Sequence, residues 1–161
     1  MDLVLLPEVG VATVRLGMRV DAAVEAARAL GFDPTGPDRD AAPGQVFCAH
    51  PASGADLTLS FTKGALTDIH VSRFRSEDAD VHVVLDGLDI FRTPSDELLE
   101  RLRERGHRVE QNDHGVDTLP DLKVILSNES SFDHPVDGDG DPLHFDYALV
   151  TSVLFHGPRA D

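Results

Sequence analysis

VDAAVEAARALG at residues 20–31, followed by DLTLSFTKGALTDIHV at residues 56–71, decides the fold. In the first stretch Ala23, Val24, Ala27 and Leu30 recur at the 3.6-residue period of a helix, while Glu25 and Arg28 point elsewhere. Gly31 then supplies a C-terminal stop, because glycine enters the left-handed region without a Cβ penalty. In the second stretch Leu57, Leu59 and Phe61 alternate with Thr58 and Ser60, which is the period of a half-buried strand. Lys63-Gly64 reads as a tight turn, and Leu66 to Val71 returns as the partner strand. A helix with one apolar face, followed by an antiparallel hairpin with one apolar face, predicts a helix laid on a sheet.

The same order recurs further along. A strand candidate at 81–85 and the pair Ile90-Phe91 precede TPSDELLERLRERG, residues 93–106. Here Thr93 is the expected cap, Pro94 the first helical residue and Asp96 the partner in a variant capping box. Leu98, Leu99 and Leu102 form the apolar stripe, and Arg101, Arg103 and Arg105 sit where cations complement the helix dipole. Gly106 aligns with Gly31, Asp121-Leu122 opens LKVIL as Asp56-Leu57 opens the earlier strand, and 145–150 corresponds to 66–71. Upstream, 3–6 and 9–16 are short apolar runs, 33–44 is a Pro/Gly/Asp-rich loop and 46–48 a further strand. The expectation is an α+β chain of two similar units, 1–76 and 81–161, each one helix packed on antiparallel strands. Glu77-Asp78-Ala79-Asp80 links them, and they share one core. The helices would cover one side of the sheet and leave the other as the natural binding surface.

LGMRVDAAV at 16–24, closing on Leu30-Gly31, resembles the L-G-M-x-x-x-x-V…L-G helix entry of small repeated α/β modules. Such modules include the beta-lactamase-inhibitor-protein-like group and bacterial outer-membrane assembly lipoproteins. The resemblance implies binding to another protein and no chemistry. It covers one half only: Phe91-Arg92-Thr93 stands where Leu-Gly-Met would recur, and no lipobox cysteine lies near the start.

Charge narrows the partners. The 161 residues hold 29 acids and 14 bases, a net charge of -15, of which residues 81–161 carry -10. Such a field opposes nucleic acid and anionic lipid, so neither is an expected partner. It suits solubility, a basic protein partner or a cation-binding surface. The basic cluster Arg101, Arg103, Arg105 and Arg108 alternates with Glu100, Glu104 and Glu110, the pattern of a salt-bridged helix face. No run approaches 18 apolar residues, so no membrane span is expected, and the start MDLVLLPE lacks the basic region of a secretory signal. One cysteine forbids an intrachain disulfide and fits a cytoplasmic location.

Catalytic motifs are missing. Cys48 and His50 are placed to share a strand face, but nothing beside them completes a nucleophile, so Cys48 reads as buried. The conspicuous segment is DHPVDGDGDPLHFD, residues 133–146. Asp137, Asp139 and Asp141 have the i, i+2, i+4 spacing that opens a calcium loop. Pro142 and Ala148 occupy the positions where an EF-hand needs Gly and Glu. A looser divalent-metal site remains, in which His134, His144 and Asp146 join the three aspartates. The alternative is an exposed Gly/Asp turn. Two classes of function therefore stand beside each other. One is a non-catalytic protein-binding domain, such as an inhibitor or immunity-type factor for a basic partner, needing no cofactor. The other is a metal-assisted hydrolase built on 133–146. A structural homodimer joined through the uncovered sheet face is the third reading.

Overall fold

The computed structural model describes residues 1–34, 44–111, 116–128 and 135–152. Among these residues the chain is a mixed α+β structure with two helices and two sheets. In order come β1 (Asp2–Leu6), β2 (Gly10–Val11), β3 (Val14–Arg15), α1 (Val20–Ala29), β4 (Asp33–Pro34), β5 (Gln45–His50), β6 (Ala55–Thr62) and β7 (Ala65–Ser72). There follow β8 (His82–Leu85), β9 (Leu88–Asp89), α2 (Ser95–Glu104), β10 (Glu110–Gln111), β11 (Val116–Leu119), β12 (Val124–Ser127) and β13 (Tyr147–Thr151).

The large sheet has eight strands in the order β10-β11-β12-β13-β7-β6-β5-β4, every neighbouring pair antiparallel. Two meanders, β4 to β7 and β10 to β13, meet where β13 pairs with β7. The register sets Val150 opposite Ile69 and Ala148 opposite Val71. Side chains alternate across a strand, so this register sends Leu57, Leu59, Ile69, Val71, Val124, Leu126, Ala148 and Val150 to one face, where all are buried. The small sheet has the order β3-β2-β1-β8-β9, with β1 and β8 parallel and Leu3 opposite Val83. Leu3, Leu5, Val83 and Leu85 join the same core, as do Ala23 and Ala27 of α1 and Leu98, Leu99 and Leu102 of α2.

Both helices stop in the same way. After α1 the Phe32 amide bonds the Ala27 carbonyl and the Gly31 amide bonds that of Arg28; after α2 the His107 amide bonds Leu102 and the Gly106 amide bonds Arg103. These are Schellman closures, and the glycines at φ 89° and 90° make them accessible. The expected cap of α2 differs. Pro94 is the N-cap, and no side chain caps the helix. Thr93 stands one residue before that N-cap, where its Oγ1 donates to the Asp89 carbonyl at 2.7 Å and its amide bonds the same oxygen at 3.0 Å. Among the described residues no helix is long and apolar enough to cross a membrane.

Arg73 ties the stretch between the sheets. Its side chain is 1% exposed, donates from Nε to the Phe91 carbonyl at 2.8 Å and from its guanidinium to Glu77, and lies 4.4 Å over the Phe74 ring. Arg92 approaches the same ring at 4.0 Å and donates to the carbonyls of Val81 and Ala79. The segment read as a linker is therefore flanked by two guanidiniums that both approach one aromatic ring. The face assignment of the large sheet is open to a direct check. Leu59→Ala is expected to cost about 2–5 kcal/mol in urea unfolding, and its strand neighbour Thr58→Ala less than about 1 kcal/mol. Equal costs would mean the faces are misassigned.

Candidate functional site

The loop of the predicted metal segment is closed by its own backbone. Val136 bridges Pro142, and the Leu143 amide bonds the Pro135 carbonyl at 3.1 Å. Within it Asp137 Oδ1 accepts the amides of Asp139 at 2.8 Å and Asp141 at 3.0 Å, the side-chain turn that aspartate favours. This brings ligand oxygens of Asp137, Asp139 and Asp141 within 4.8 Å of one another on an exposed surface. Three hard oxygens in that arrangement suit calcium or magnesium chemistry better than zinc.

His144 and Asp146 stand outside this group, which is the one convergent set of metal-ligating side chains among the described residues. His134 lies outside the described residues. His144 is half-buried near Arg73 and Arg92, while its backbone carbonyl accepts from Asn128 Nδ2. Its Nδ1 is buried with no hydrogen-bond partner among the described residues. Burial and then the Arg73 cation hold its imidazole below the ordinary histidine range. Asp146 is 6% exposed, with its backbone bonded to Ser127 and Arg73. The strand begins only at Tyr147, so the neck of the loop separates residues 144 and 146 from the aspartates at its tip.

Cys48 and His50 do share a face of β5, and nothing couples them. His50 Nδ1 bonds Ser53 Oγ at 2.8 Å, and its ring tilts against Phe32 at 5.1 Å. Cys48 is 1% exposed, and burial pushes its thiol up to about 11. At neutral pH it is a protonated, apolar filler rather than a nucleophile.

The face of the large sheet turned away from the core carries a different chemistry. Its strand positions follow from the registers. One row runs Asp33, Ala49, Asp56, Ser72, Tyr147, Ser127 and Val116, and the next Phe47, Thr58, His70, Leu149, Ile125, Thr118 and Glu110. A third holds Gln45, Ser60, Asp68 and Thr151. Near the centre Tyr147 Oη hydrogen-bonds His70 Nδ1, and the rings meet edge to face at 5.2 Å. Asp68 accepts from the hydroxyls of Thr67 and Thr151. Burial pushes the Asp56 carboxyl up, and Arg75 partly offsets this. Asp33, Asp56, Asp68 and Glu110 are the charged strand positions here; none is Lys or Arg.

Sequence reasoning gives His70 and Tyr147 no role. Tyr147 carries no local signal, while the alternation of β7 marks His70 as pointing away from the core. The His144 imidazole has a measurable consequence. Its proton affinity is lower folded than unfolded, so its contribution holds above the ordinary histidine pKa of about 6.5 and is lost as pH falls below it. The urea midpoint of the wild type is expected to drop more between about pH 7.5 and pH 5.5 than that of His144→Gln. Parallel drops would place His144 in solvent.

Comparison with protein-family models, with curated proteins and with solved structures finds no match for this chain. The chemistry of the side chains described above carries the functional reading.

Proposed function

We propose that this chain is a non-catalytic protein-binding domain, an inhibitor or immunity-type factor whose acidic surface receives a basic partner. The observation that carries the proposal is the outward face of the large sheet. Asp33, Asp56, Asp68 and Glu110 frame apolar and aromatic positions Phe47, Tyr147, Leu149 and Ile125, with no Lys or Arg among the strand positions. Acids around an apolar strip would steer a basic protein and then give it area to bury. The reactive-looking groups are spoken for elsewhere: Cys48 is a protonated core residue and the histidine beside it bonds a serine.

The architecture supports a chain of two similar units, 1–76 and 81–161. β7 and β13, the last strands of each, are neighbours; β1 and β8, the first strands, pair in the other sheet; both helices end in the same closure. We place the domain in the cytoplasm on its single buried cysteine, Cys48. Capture from native extract at about 50 mM and then about 150 mM salt is expected to recover one basic protein stoichiometrically, with retention falling as salt rises. Amide exchange should then protect β5, β6, β7 and β13. Recovery of no basic partner at either salt would sink the proposal.

The metal-assisted hydrolase reading keeps one observation in its favour, the convergence of Asp137, Asp139 and Asp141. Elemental analysis of untagged protein purified without added metal is expected to find far less than one divalent ion per chain. Near-stoichiometric zinc, manganese or iron would favour the hydrolase.

A further inference from the structure

Three tight turns from distant parts of the chain meet at one hollow. The turn after β1 holds Pro7 and Glu8, the β8–β9 turn Asp86 and Gly87, and the β11–β12 turn Leu122 and Lys123. A groove of about 350 Å³ opens there, lined by Val4, Leu6, Pro7, Leu85 and Leu122 and by the polar pair Asp86 and His107. That is more than the roughly 150 Å³ that holds benzene inside a protein.

Ion pairs fix the turns against one another. Glu8 pairs with Lys123 at 2.9 Å, and His107 Nε2 bonds Asp86 Oδ2 at 2.9 Å. Arg105 donates to the Asp86 carbonyl at 2.7 Å. Glu8, Asp86 and Lys123 have φ of 62°, 50° and 55°. Aspartate before glycine is at home in that left-handed region, whereas glutamate and lysine are strained there. Strain of this kind gathers where a site has to keep its shape.

The groove offers few polar atoms. The carbonyls of Val4 and Leu6 accept the amides of Ala12 and Val9. Asp86 Oδ2 is on His107, and Oδ1 lies 3.7 Å from Arg105. The hydrogen bond from His107 holds the Asp86 carboxyl below the usual carboxylate range, so Asp86 accepts and Nε2 carries the proton. In that neutral tautomer Nδ1 is an acceptor, and it has no partner among the described residues. Charge narrows the ligand further. A net charge of -15 disfavours an anion, and a cation finds Asp86 and Glu8 already paired.

We propose that this groove binds a small neutral molecule with an apolar body and one hydroxyl. The body lies on Val4, Leu6, Pro7 and Leu122, and the hydroxyl donates to His107 Nδ1. None of these residues belongs to the outward rows of the large sheet, so the groove stands or falls apart from a basic partner there.

Amide NMR titration of the full chain with p-cresol, toluene and p-toluate at neutral pH tests it. Saturable shifts are expected at Val4, Leu6, Gly87 and Leu122, with p-cresol bound about three- to tenfold more tightly than toluene and p-toluate weakest. His107→Phe should erase the preference for p-cresol and keep toluene bound, which a loss of fold would not do. Leu122→Asp should abolish binding of both neutral probes, with the remaining amide spectrum unchanged. Absence of saturable shifts at these amides overturns the proposal, and so does p-toluate binding more tightly than p-cresol. A groove made for another protein's apolar side chain would take toluene as well as p-cresol, and that result also overturns it.

Discussion

The pairing of β13 with β7 is the constraint on which the remaining structure depends. It joins two antiparallel meanders, each with its own edge, into one sheet of eight strands. A one-residue slip would turn Ala148 and Val150 outward and bring Tyr147 and Leu149 into the core. The helices are too short to be stable in isolation; α1 and α2 have 10 residues each and need a wide apolar surface to lie on. Neither four-stranded half gives as broad a platform as the joined sheet.

Local rhythm in the chain is enough to locate what depends on neighbours in sequence. The stripes at 23–30 and 98–102, the glycine stops, the alternation of 57–61 and the turn at 63–64 are each settled within a dozen residues. What lies beyond that reach is long-range. β1 and β8 are about 80 residues apart and pair in parallel, and no periodicity marks which strand another will choose. Arg73 looks like an ordinary surface cation until Glu77 and the Phe91 carbonyl close around it. Thr93 carries the composition of a cap, yet the helix starts one residue later, with Pro94 as its N-cap and the Thr93 hydroxyl on the Asp89 carbonyl.

The candidate site divides along the same line. The i, i+2, i+4 aspartates converge because their spacing and the side-chain turn of Asp137 are local properties. The grouping of those aspartates with His144 and Asp146 needs the path of the chain around them. The bridge of Val136 with Pro142 pinches the loop before that path brings the histidine back. The outward rows of the large sheet likewise combine residues from all eight strands, and their shared acidity is visible only once the registers are fixed.

The distribution of charge then says more than its total. Self-repulsion at a net charge of -15 works against a compact state. The bases are spent locally: Arg28 on Glu25, Arg73 on Glu77, Arg92 on Asp89, Arg101 on Glu97, Arg105 on Asp86, Arg108 on Asp121 and Lys123 on Glu8. The exposed pairs among these contribute little each, about 0–1 kcal/mol; Arg73, with a side chain 1% exposed, is not one of them. Acid in excess is left on α2, which carries Asp96, Glu97, Glu100 and Glu104, as well as on the outward face of the large sheet and at the tip of the 137–141 loop. On the sheet face the hydroxyls of Thr67 and Thr151 satisfy Asp68, whereas the Asp56 carboxyl is pushed up by burial and only partly offset by Arg75. A cost of that kind is offset when a cation arrives from outside.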